Sequence, residues 1–396
     1  MSRSLFLQRS ASRHRLPRPF WQAGLLLVAA TAACGQTATH AQSTSARPFT
    51  VHQVAQFSTP WAMDFLPGSG VRLTNLALLT EREGKLWLVD FLDGSRRAVA
   101  GVPVVHVAGQ GGLGDVVADP DFAGNRRVYL SFVEKGARGT NGAALGYGTL
   151  DLADPNKPVL RDFRIIWRQQ PKVEGSAHFS HRIAFGPDGF LYLSSGERMK
   201  FDPAQDMSVN LGKVVRLTRE GTPAPGNPWA AKGGLAAQLW SIGHRNVLGL
   251  SFAPDGRLWA SEMGPKGGDE VNLIAPGKNY GWPRASNGSH YDGRDIPDHK
   301  PGDGYEPPKL WWNPSISPGG LIIYTGEKFS AWKGDALIPA LSGEGLIRVD
   351  INGGKAAKAE QWPMGARIRA VDQGPDGSVY LLEDGGRLLR LDPAKP

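Results

Sequence analysis

A turn of the form Gly-Pro-Asp-Gly, followed at once by alternating apolar residues, returns along this chain at a regular interval. It stands at Phe185-Gly-Pro-Asp-Gly-Phe-Leu-Tyr-Leu193, at Phe252-Ala-Pro-Asp-Gly-Arg-Leu-Trp-Ala260 and at Gln373-Gly-Pro-Asp-Gly-Ser-Val-Tyr-Leu-Leu382. Looser copies are Phe65-Leu-Pro-Gly68, Asp119-Pro-Asp-Phe122 with Val128-Tyr-Leu-Ser-Phe132, and Ser317-Pro-Gly-Gly-Leu-Ile-Ile-Tyr324. An interval of ~55 to 65 residues is the period of a repeat architecture. Each copy reads as a tight turn opening a half-buried strand. One such unit cannot cover its own apolar face. Six arranged radially can, which predicts an all-β chain folded as a six-bladed β-propeller.

By length alone, 396 residues would fill two or three domains at ~150 residues each, but the repeat argues for one large unit. The 51 glycines and 30 prolines suit a chain with many turns. No long stretch after residue 45 shows apolar residues at helical spacing. The propeller is expected over residues 50–396, behind a polar linker at 42–49. Thr80–Asp90 reads as strand, turn and strand, and Leu381–Leu391 repeats that pattern. A ring must close, and these matching ends suit closure by pairing of the two termini. Residues 284–308 break the repeat with a Gly-, Pro-, Asp- and His-rich stretch, read either as a functional loop over one mouth of the channel or as a surface loop without a role.

Residues 1–41 read as a signal peptide. Arg3, Arg9, Arg13, Arg15 and Arg18 form a basic leader, and Phe20–Ala33 is an apolar run too short for a comfortable membrane span. Ser2–Leu7 resembles a twin-arginine signal but lacks the second arginine, which favours general secretion, with cleavage after Ala41. The alternative is a lipoprotein signal ending at Ala33, because Thr31-Ala-Ala-Cys34 resembles a lipobox. The expected location is periplasmic or secreted, with an outer-membrane lipid anchor on Cys34 as the second reading.

Cys34 is the only cysteine, so no intrachain disulfide forms and a thiolate metal site is excluded. The formal charge of +8 falls to +3 once the five leader arginines are set aside. No Lys/Arg cluster interleaves with aromatics, so nucleic acid is not an expected partner.

Several segments carry chemistry. Gly109–Gly114 fits the GxGxxG pattern, but Asp115–Pro120 behind it offers proline and strand where a dinucleotide site needs a helix. Its glycines are better read as a close turn that projects Gln110. Gly175–Arg182 places His178, His181 and Arg182 at a strand entrance. A histidine there is a candidate general base, or one of a pair satisfying loop carbonyls. Ile242–Val247 also enters a blade and carries Arg245, suited to polarising a carbonyl or to a blade-to-blade ion pair. Glu262–Glu270 is an irregular turn whose carbonyls and carboxylates suit Ca²⁺, though ordinary turns use the same residues. Arg367 and Arg369 share one side of a strand. Aimed inward they require an anionic ligand; aimed outward they require nothing.

Taken in order, these pieces are similar to one family. Gly109–Gly112, the His178 loop with Phe185–Gly189, Leu211–Leu217, Gly243–Asn246, Gly264-Pro265 with Gly268–Glu270, Asn279–Pro283 and Arg367-Ile-Arg369 carry the similarity. The chain resembles the soluble, PQQ-dependent aldose sugar dehydrogenases, relatives of soluble quinoprotein glucose dehydrogenase, over nearly everything from residue 50 onward. The resemblance implies one pyrroloquinoline quinone (PQQ) and a calcium ion at the top of a six-bladed propeller. It implies that His178 takes the anomeric hydroxyl proton of an aldose as hydride passes to the quinone, and that Arg245 polarises the accepting carbonyl. Gln110, Asn246, Asp269, Tyr280, Arg367 and Arg369 match positions around the cofactor, and the carbonyls of Gly264 and Pro265 match its calcium ligands. The product is a lactone, and electrons leave to an external quinone, cytochrome or dye.

The chain departs from the family in three places. Ser180-His181 stands before the loop arginine where Gly-Gly or Gly-Ser is usual, Val247-Leu248 replaces Pro-Gln, and a cofactor-facing lysine is replaced near Ser342. Two other readings stay open: a calcium-dependent propeller hydrolase such as a lactonase, and a non-catalytic sugar- or partner-binding propeller.

Overall fold

The computed structural model describes residues 47–68 and 75–394. The leader, Cys34 and most of the 42–49 linker lie outside these residues. What is described is a six-bladed β-propeller built of six four-stranded antiparallel sheets. We number the blades I to VI along the chain. Blade I holds Pro60–Phe65, Leu76–Glu81, Lys85–Asp90 and Arg96–Ala98; blade II holds Leu113–Ala118, Arg127–Lys135, Asn141–Asp151 and Val159–Arg168. Blade III is Ser180–Phe185, Leu191–Ser195, Lys213–Leu217 and Leu239–Ile242; blade IV is Val247–Phe252, Leu258–Glu262, Asp269–Ile274 and Leu310–Trp312. Blade V is Ile322–Ile323, Ala336–Ala340, Gly345–Asn352 and Lys355–Pro363. Blade VI joins both ends of the propeller: Ile368–Gln373, Val379–Glu383 and Arg387–Pro393 are completed by Phe49–Gln56, from Phe49 opposite Pro393 to Gln56 opposite Arg387. Terminal pairing therefore closes the ring, through Phe49–Gln56 rather than the Thr80–Asp90 hairpin, which forms the second and third strands of blade I.

The repeated turn joins the first and second strands of a blade. Asp188, Asp255 and Asp376 each accept, through Oδ1, a hydrogen bond from the backbone N–H two residues on. The following Gly189, Gly256 and Gly377 have φ of 79°, 82° and 81°, a left-handed conformation that favours glycine. The copy at Ser317 differs: it precedes the first strand of blade V, and the first-to-second turn there is Tyr324–Asp335, with a 3₁₀ turn at Ser330–Trp332. Among the described residues, helix is confined to Phe122–Asn125 and four 3₁₀ turns.

Blades stack through apolar faces. Trp61, Leu78, Leu86, Leu130 and Phe132 pack between blades I and II, and Phe49, Leu346, Trp362 and Leu381 between V and VI. Each fully buried leucine or phenylalanine contributes roughly 1.5–3 kcal/mol. The first strands touch one another around the axis and line a central cavity of ≈ 350 Å³. Arg182 braces it, donating to Asp115 Oδ1 at 2.9 Å, to the Leu248 carbonyl at 2.7 Å and to the Gly319 carbonyl at 2.8 Å.

Candidate active site

Strands within a blade alternate in direction. Segments entering a first strand and segments leaving a second strand therefore meet at the same mouth of the ring. Gln110, His178, Arg245 and Arg367 enter blades II, III, IV and VI; Arg82, Glu197, Leu341 and Asp384 leave second strands of blades I, III, V and VI. The fold alone thus gathers most of the sequence candidates at one end.

A local device then turns side chains into that mouth. In five blades the pairing of first and second strands slips near the entrance, between Pro60/Ala62, Leu113/Val116, Ser180/Ile183, Val247/Gly249 and Ile368/Ala370. A bulge leaves a residue unpaired and re-aims it. Trp61, His181, Leu248 and Arg369 occupy four of these slips, and all four line a cavity of ≈ 320 Å³ with Gln110, Asn246 and Arg367.

At one end of that cavity Arg367 and Arg369 straddle a single carboxylate, each donating Nε to Asp384 at 2.9 and 2.8 Å. Among the described residues their Nη atoms meet no acceptor. Two guanidinium groups against one carboxylate leave an excess positive charge with free donors, the arrangement that holds an anionic group. Ser342 engages Ser317 Oγ at 2.8 Å and the Ser315 carbonyl at 3.1 Å.

His178 lines an adjoining cavity of ≈ 200 Å³ together with Arg245, Pro265, Trp282 and Tyr291. It is 5% exposed and held on three sides. Its backbone N–H donates to Gln110 Oε1 at 2.8 Å, while the Gln110 N–H donates to the Ser176 carbonyl at 2.8 Å, so two loops clamp each other. Its Nδ1 lies 2.5 Å from Glu197 Oε1. Glu197 also accepts the backbone N–H groups of Met199 and Phe201 at 3.0 and 2.7 Å. Burial pushes the His178 pKa below its ordinary value, and the Arg245 cation adds to this against the opposing pull of Glu197. Burial raises the Glu197 carboxyl, but the hydrogen bond from His178, the Phe201 N–H and the nearby Arg245 cation outweigh it and hold Glu197 ionised. His178 is therefore a neutral imidazole at neutral pH, with Nδ1 carrying the proton toward Glu197 and Nε2 without a protein partner among the described residues.

His181 is a different kind of residue. It is buried, bonds Ser131 Oγ through Nδ1 at 2.8 Å and stacks on Trp61 at 5.1 Å. Burial and the neighbouring Arg182 push its pKa down to about 3. The glycine at 114 makes room for it, since a Cβ there would stand 1.9 Å from the imidazole.

Glu262 is the hub of the second loop. It accepts the backbone N–H groups of Arg245 and Asn246 and faces His244 Nδ1 at 3.0 Å. Arg245 donates Nη1 to the carbonyls of Met263 and Gly264 at 3.0 and 2.6 Å and Nη2 to Tyr291 Oη at 3.1 Å; its buried Nε has no partner. Asn246 Oδ1 accepts from Ser180 Oγ at 3.1 Å. Asp269 and Tyr280 are built into the walls. Asp269 accepts backbone N–H groups from Gly264, Ile316 and Ser317 at 2.8, 2.7 and 2.6 Å. Tyr280 donates its hydroxyl to the Leu273 carbonyl at 2.6 Å and stacks on His244 at 4.7 Å.

Residues 284–308 reach this mouth. Gly288–Ser289 pairs with Lys266–Gly267, and the following turn puts His290, Tyr291, Asp292 and Arg294 on the His178 cavity. Glu197 and Phe201 had no signal in the sequence, while Trp282 and Tyr291 lay inside the Asn279–Pro283 and 284–308 stretches without being singled out. Each lies in an aperiodic segment, and only the folding of blades III and IV brings those segments together.

A six-bladed propeller with a histidine–carboxylate pair and an arginine pair at one mouth can be compared with known proteins. The family model for Glucose / Sorbosone dehydrogenase matches residues 57–390. The chain belongs to the glucose/sorbosone dehydrogenase family. It is 40% identical over 342 residues to the aldose sugar dehydrogenase YliI of Escherichia coli K12, covering 84% of this chain and 90% of that one. The crystal structure of the soluble aldose sugar dehydrogenase of Escherichia coli in its apo form superposes with a TM-score of 0.82 at 38% identity, over 87% of this chain and all of that one. The PQQ-bound aldose sugar dehydrogenase of Streptomyces coelicolor gives 0.72 at 30% identity, over 87% and 98%.

The residues present in this family member fit the implied quinone. The free guanidinium donors of Arg367 and Arg369 and the orphaned Arg245 Nε suit a flat, multiply anionic quinone. Among the described residues no three His, Cys, Asp or Glu side chains converge on a metal position, so a calcium ion here would depend on backbone carbonyls and on oxygens of the cofactor. The Gly264 carbonyl already serves a cation, Arg245, and a Cβ at 264 would stand 2.3 Å from the Gly268 oxygen.

Proposed function

We propose that this protein is a PQQ- and Ca²⁺-dependent dehydrogenase that oxidises aldoses at the anomeric carbon to lactones. The observation that carries the reading is the neutral His178, oriented by Glu197, on a cavity it shares with Arg245 and next to one lined by Arg367 and Arg369.

Oxidation of a cyclic aldose removes the C1 hydroxyl proton and the C1 hydride. His178 Nε2 takes the proton. Glu197 holds the tautomer in which Nε2 is the free base, and it stabilises the imidazolium that forms. Bound PQQ supplies the two-electron acceptor, and Ca²⁺ the charge that anchors it. Arg367 and Arg369 would hold carboxylates of the cofactor in the cavity that Gln110 and Asn246 also line, and the Gly264 and Pro265 carbonyls would bind the calcium. Arg245 presents a fixed cation where negative charge develops. Asp269 keeps the Gly264 turn in place, and Tyr280 supports His244 beside Arg245. An external quinone, cytochrome or dye takes the electrons, and the basic leader supports export to the periplasm or beyond, which cell fractionation with and without residues 1–41 tests.

The deciding experiment is dye reduction by purified protein with an aldose, with and without added PQQ and Ca²⁺. Activity is expected only when both are supplied. Full activity after exhaustive chelation, in protein free of quinone, rejects the proposal.

A further inference from the structure

Among the described residues, seven large apolar side chains are exposed, and three of them, Met199, Phe201 and Tyr291, sit together on the rim of the His178 cavity. They come from two segments with no sequence relation, one joining the second and third strands of blade III and one from the 284–308 stretch. Such a concentration on one concave site marks a ligand surface rather than scattered surface residues.

The backbone is bent to present them. Arg198, Met199 and Phe201 have φ of 64°, 55° and 63°, a region that side chains with a Cβ rarely adopt. Buried anchors hold this bend: Arg198 donates to the carbonyls of Asn141, Gly175 and Ala177, and Glu197 accepts the Met199 and Phe201 N–H groups. Strain maintained at a cavity rim points to use there. Phe201, 38% exposed, stacks on Trp282 at 5.8 Å and meets His290 edge-on at 5.9 Å. Tyr291, 66% exposed, is fixed from below by the Arg245 hydrogen bond. Both rings keep apolar surface open above the base, and Asp292 with Arg294 adds a polar edge.

We propose that Phe201 and Tyr291 form an aromatic platform for a pyranose ring and are the specificity-determining residues of this site. A pyranose offers C–H groups on its faces and hydroxyls around its edge. The C–H groups meet the electron-rich aromatic faces, and the hydroxyls reach the polar edge. The proposal rests on the dehydrogenase reading for the identity of the sugar but not for its binding.

The test uses full-length protein loaded with PQQ and Ca²⁺, and the variants Phe201→Ala, Tyr291→Ala and Phe201→Tyr. Turnover of glucose is measured beside binding of methyl glucopyranoside by saturation-transfer NMR. The glucoside has no free anomeric hydroxyl and is not oxidised at C1. Each alanine variant is expected to raise KM roughly tenfold while kcat stays within about threefold, with a parallel loss of the glucoside signal. Phe201→Tyr is expected to recover most of what Phe201→Ala loses. If both alanine variants keep the wild-type KM and glucoside signal while the wild type oxidises glucose, the platform is rejected and the dehydrogenase stands. If the glucoside binds the wild type and is lost in both variants although no sugar is oxidised, the platform stands and the dehydrogenase reading fails.

Discussion

His178 Nδ1 and Glu197 Oε1 lie 2.5 Å apart, although the two residues belong to different loops on either side of a blade hairpin. His178 enters the first strand of blade III, and Glu197 leaves the second. Antiparallel pairing of those strands brings the loops together, and burial makes the pair matter. A carboxylate held ionised by its hydrogen bonds with His178 and the Phe201 N–H fixes the imidazole in one tautomer, with the other nitrogen turned to the site.

Replacing His178 by alanine removes the base without touching the arginine pair. Turnover is expected to fall ~10²- to 10⁴-fold while PQQ binding persists. His181→Ala is expected to act through folding instead, because its ring packs on Trp61 and Ser131; a large-to-small change at such a site costs roughly 2–4 kcal/mol. Steady-state rates, PQQ titration and thermal unfolding of both variants decide this. A dead His181→Ala beside an active His178→Ala would overturn the assignment.

The pH dependence follows from the downward shift of His178. The base works only when deprotonated, so activity is lost as pH falls through its pKa, and the acid limb of kcat/KM is expected below the ordinary histidine value of about 6.5. Glu197 pulls that pKa up, so Glu197→Gln is expected to move the limb to still lower pH, and to cut the rate about 10²- to 10⁴-fold by releasing the tautomer. An acid limb above the ordinary value in the wild type, or one that rises in Glu197→Gln, contradicts the pairing.

Arg369 is the more enclosed member of the arginine pair, with its side chain 19% exposed against 49% for Arg367. Loss of a charge-assisted contact costs ~1.5–3 kcal/mol, and more when the contact is shielded from water. Arg369→Ala is therefore expected to weaken PQQ binding more than Arg367→Ala, with little change in unfolding temperature. Equal wild-type affinities in both, measured by PQQ titration, would show that neither holds the cofactor.

Asp269 accepts three backbone N–H groups and is almost fully buried. In Asp269→Asn the Oδ2 acceptor pair or the Gly264 contact must give way to an NH₂ group. The expected result is a loss of stability of about 1–3 kcal/mol, seen in denaturant unfolding, with weaker calcium binding, so that activity saturates only at higher Ca²⁺. Unchanged stability would place the carboxylate outside the wall.

Much of the architecture could be read directly. The Gly-Pro-Asp-Gly turns depend on local chemistry alone, a left-handed glycine and an aspartate capping its own turn, so blade positions and count were legible. One copy was misplaced: Ser317–Tyr324 has the composition of the turn but lies ahead of its blade, because pairing partners and not composition set which strand comes first. His178, Arg245, Arg367 and Arg369 were legible as residues. Asp269 and Tyr280 were legible only as positions, since nothing in a run of letters shows that a carboxylate is taken up by three N–H groups or a phenol by a strand carbonyl.

The sequence by itself determined the repeat, the turn chemistry and the segments that carry function, because these depend on residues within a few positions of one another. Only the tertiary structure decided what those segments do to each other. Strand register at four bulges turns Trp61, His181, Leu248 and Arg369 into one cavity, and antiparallel pairing sets Glu197 against His178. Burial then separates two histidines three residues apart, one lining the reaction cavity and one packed on a tryptophan. Desolvation and distance act through space, so the same residue type takes opposite roles according to what the fold places around it.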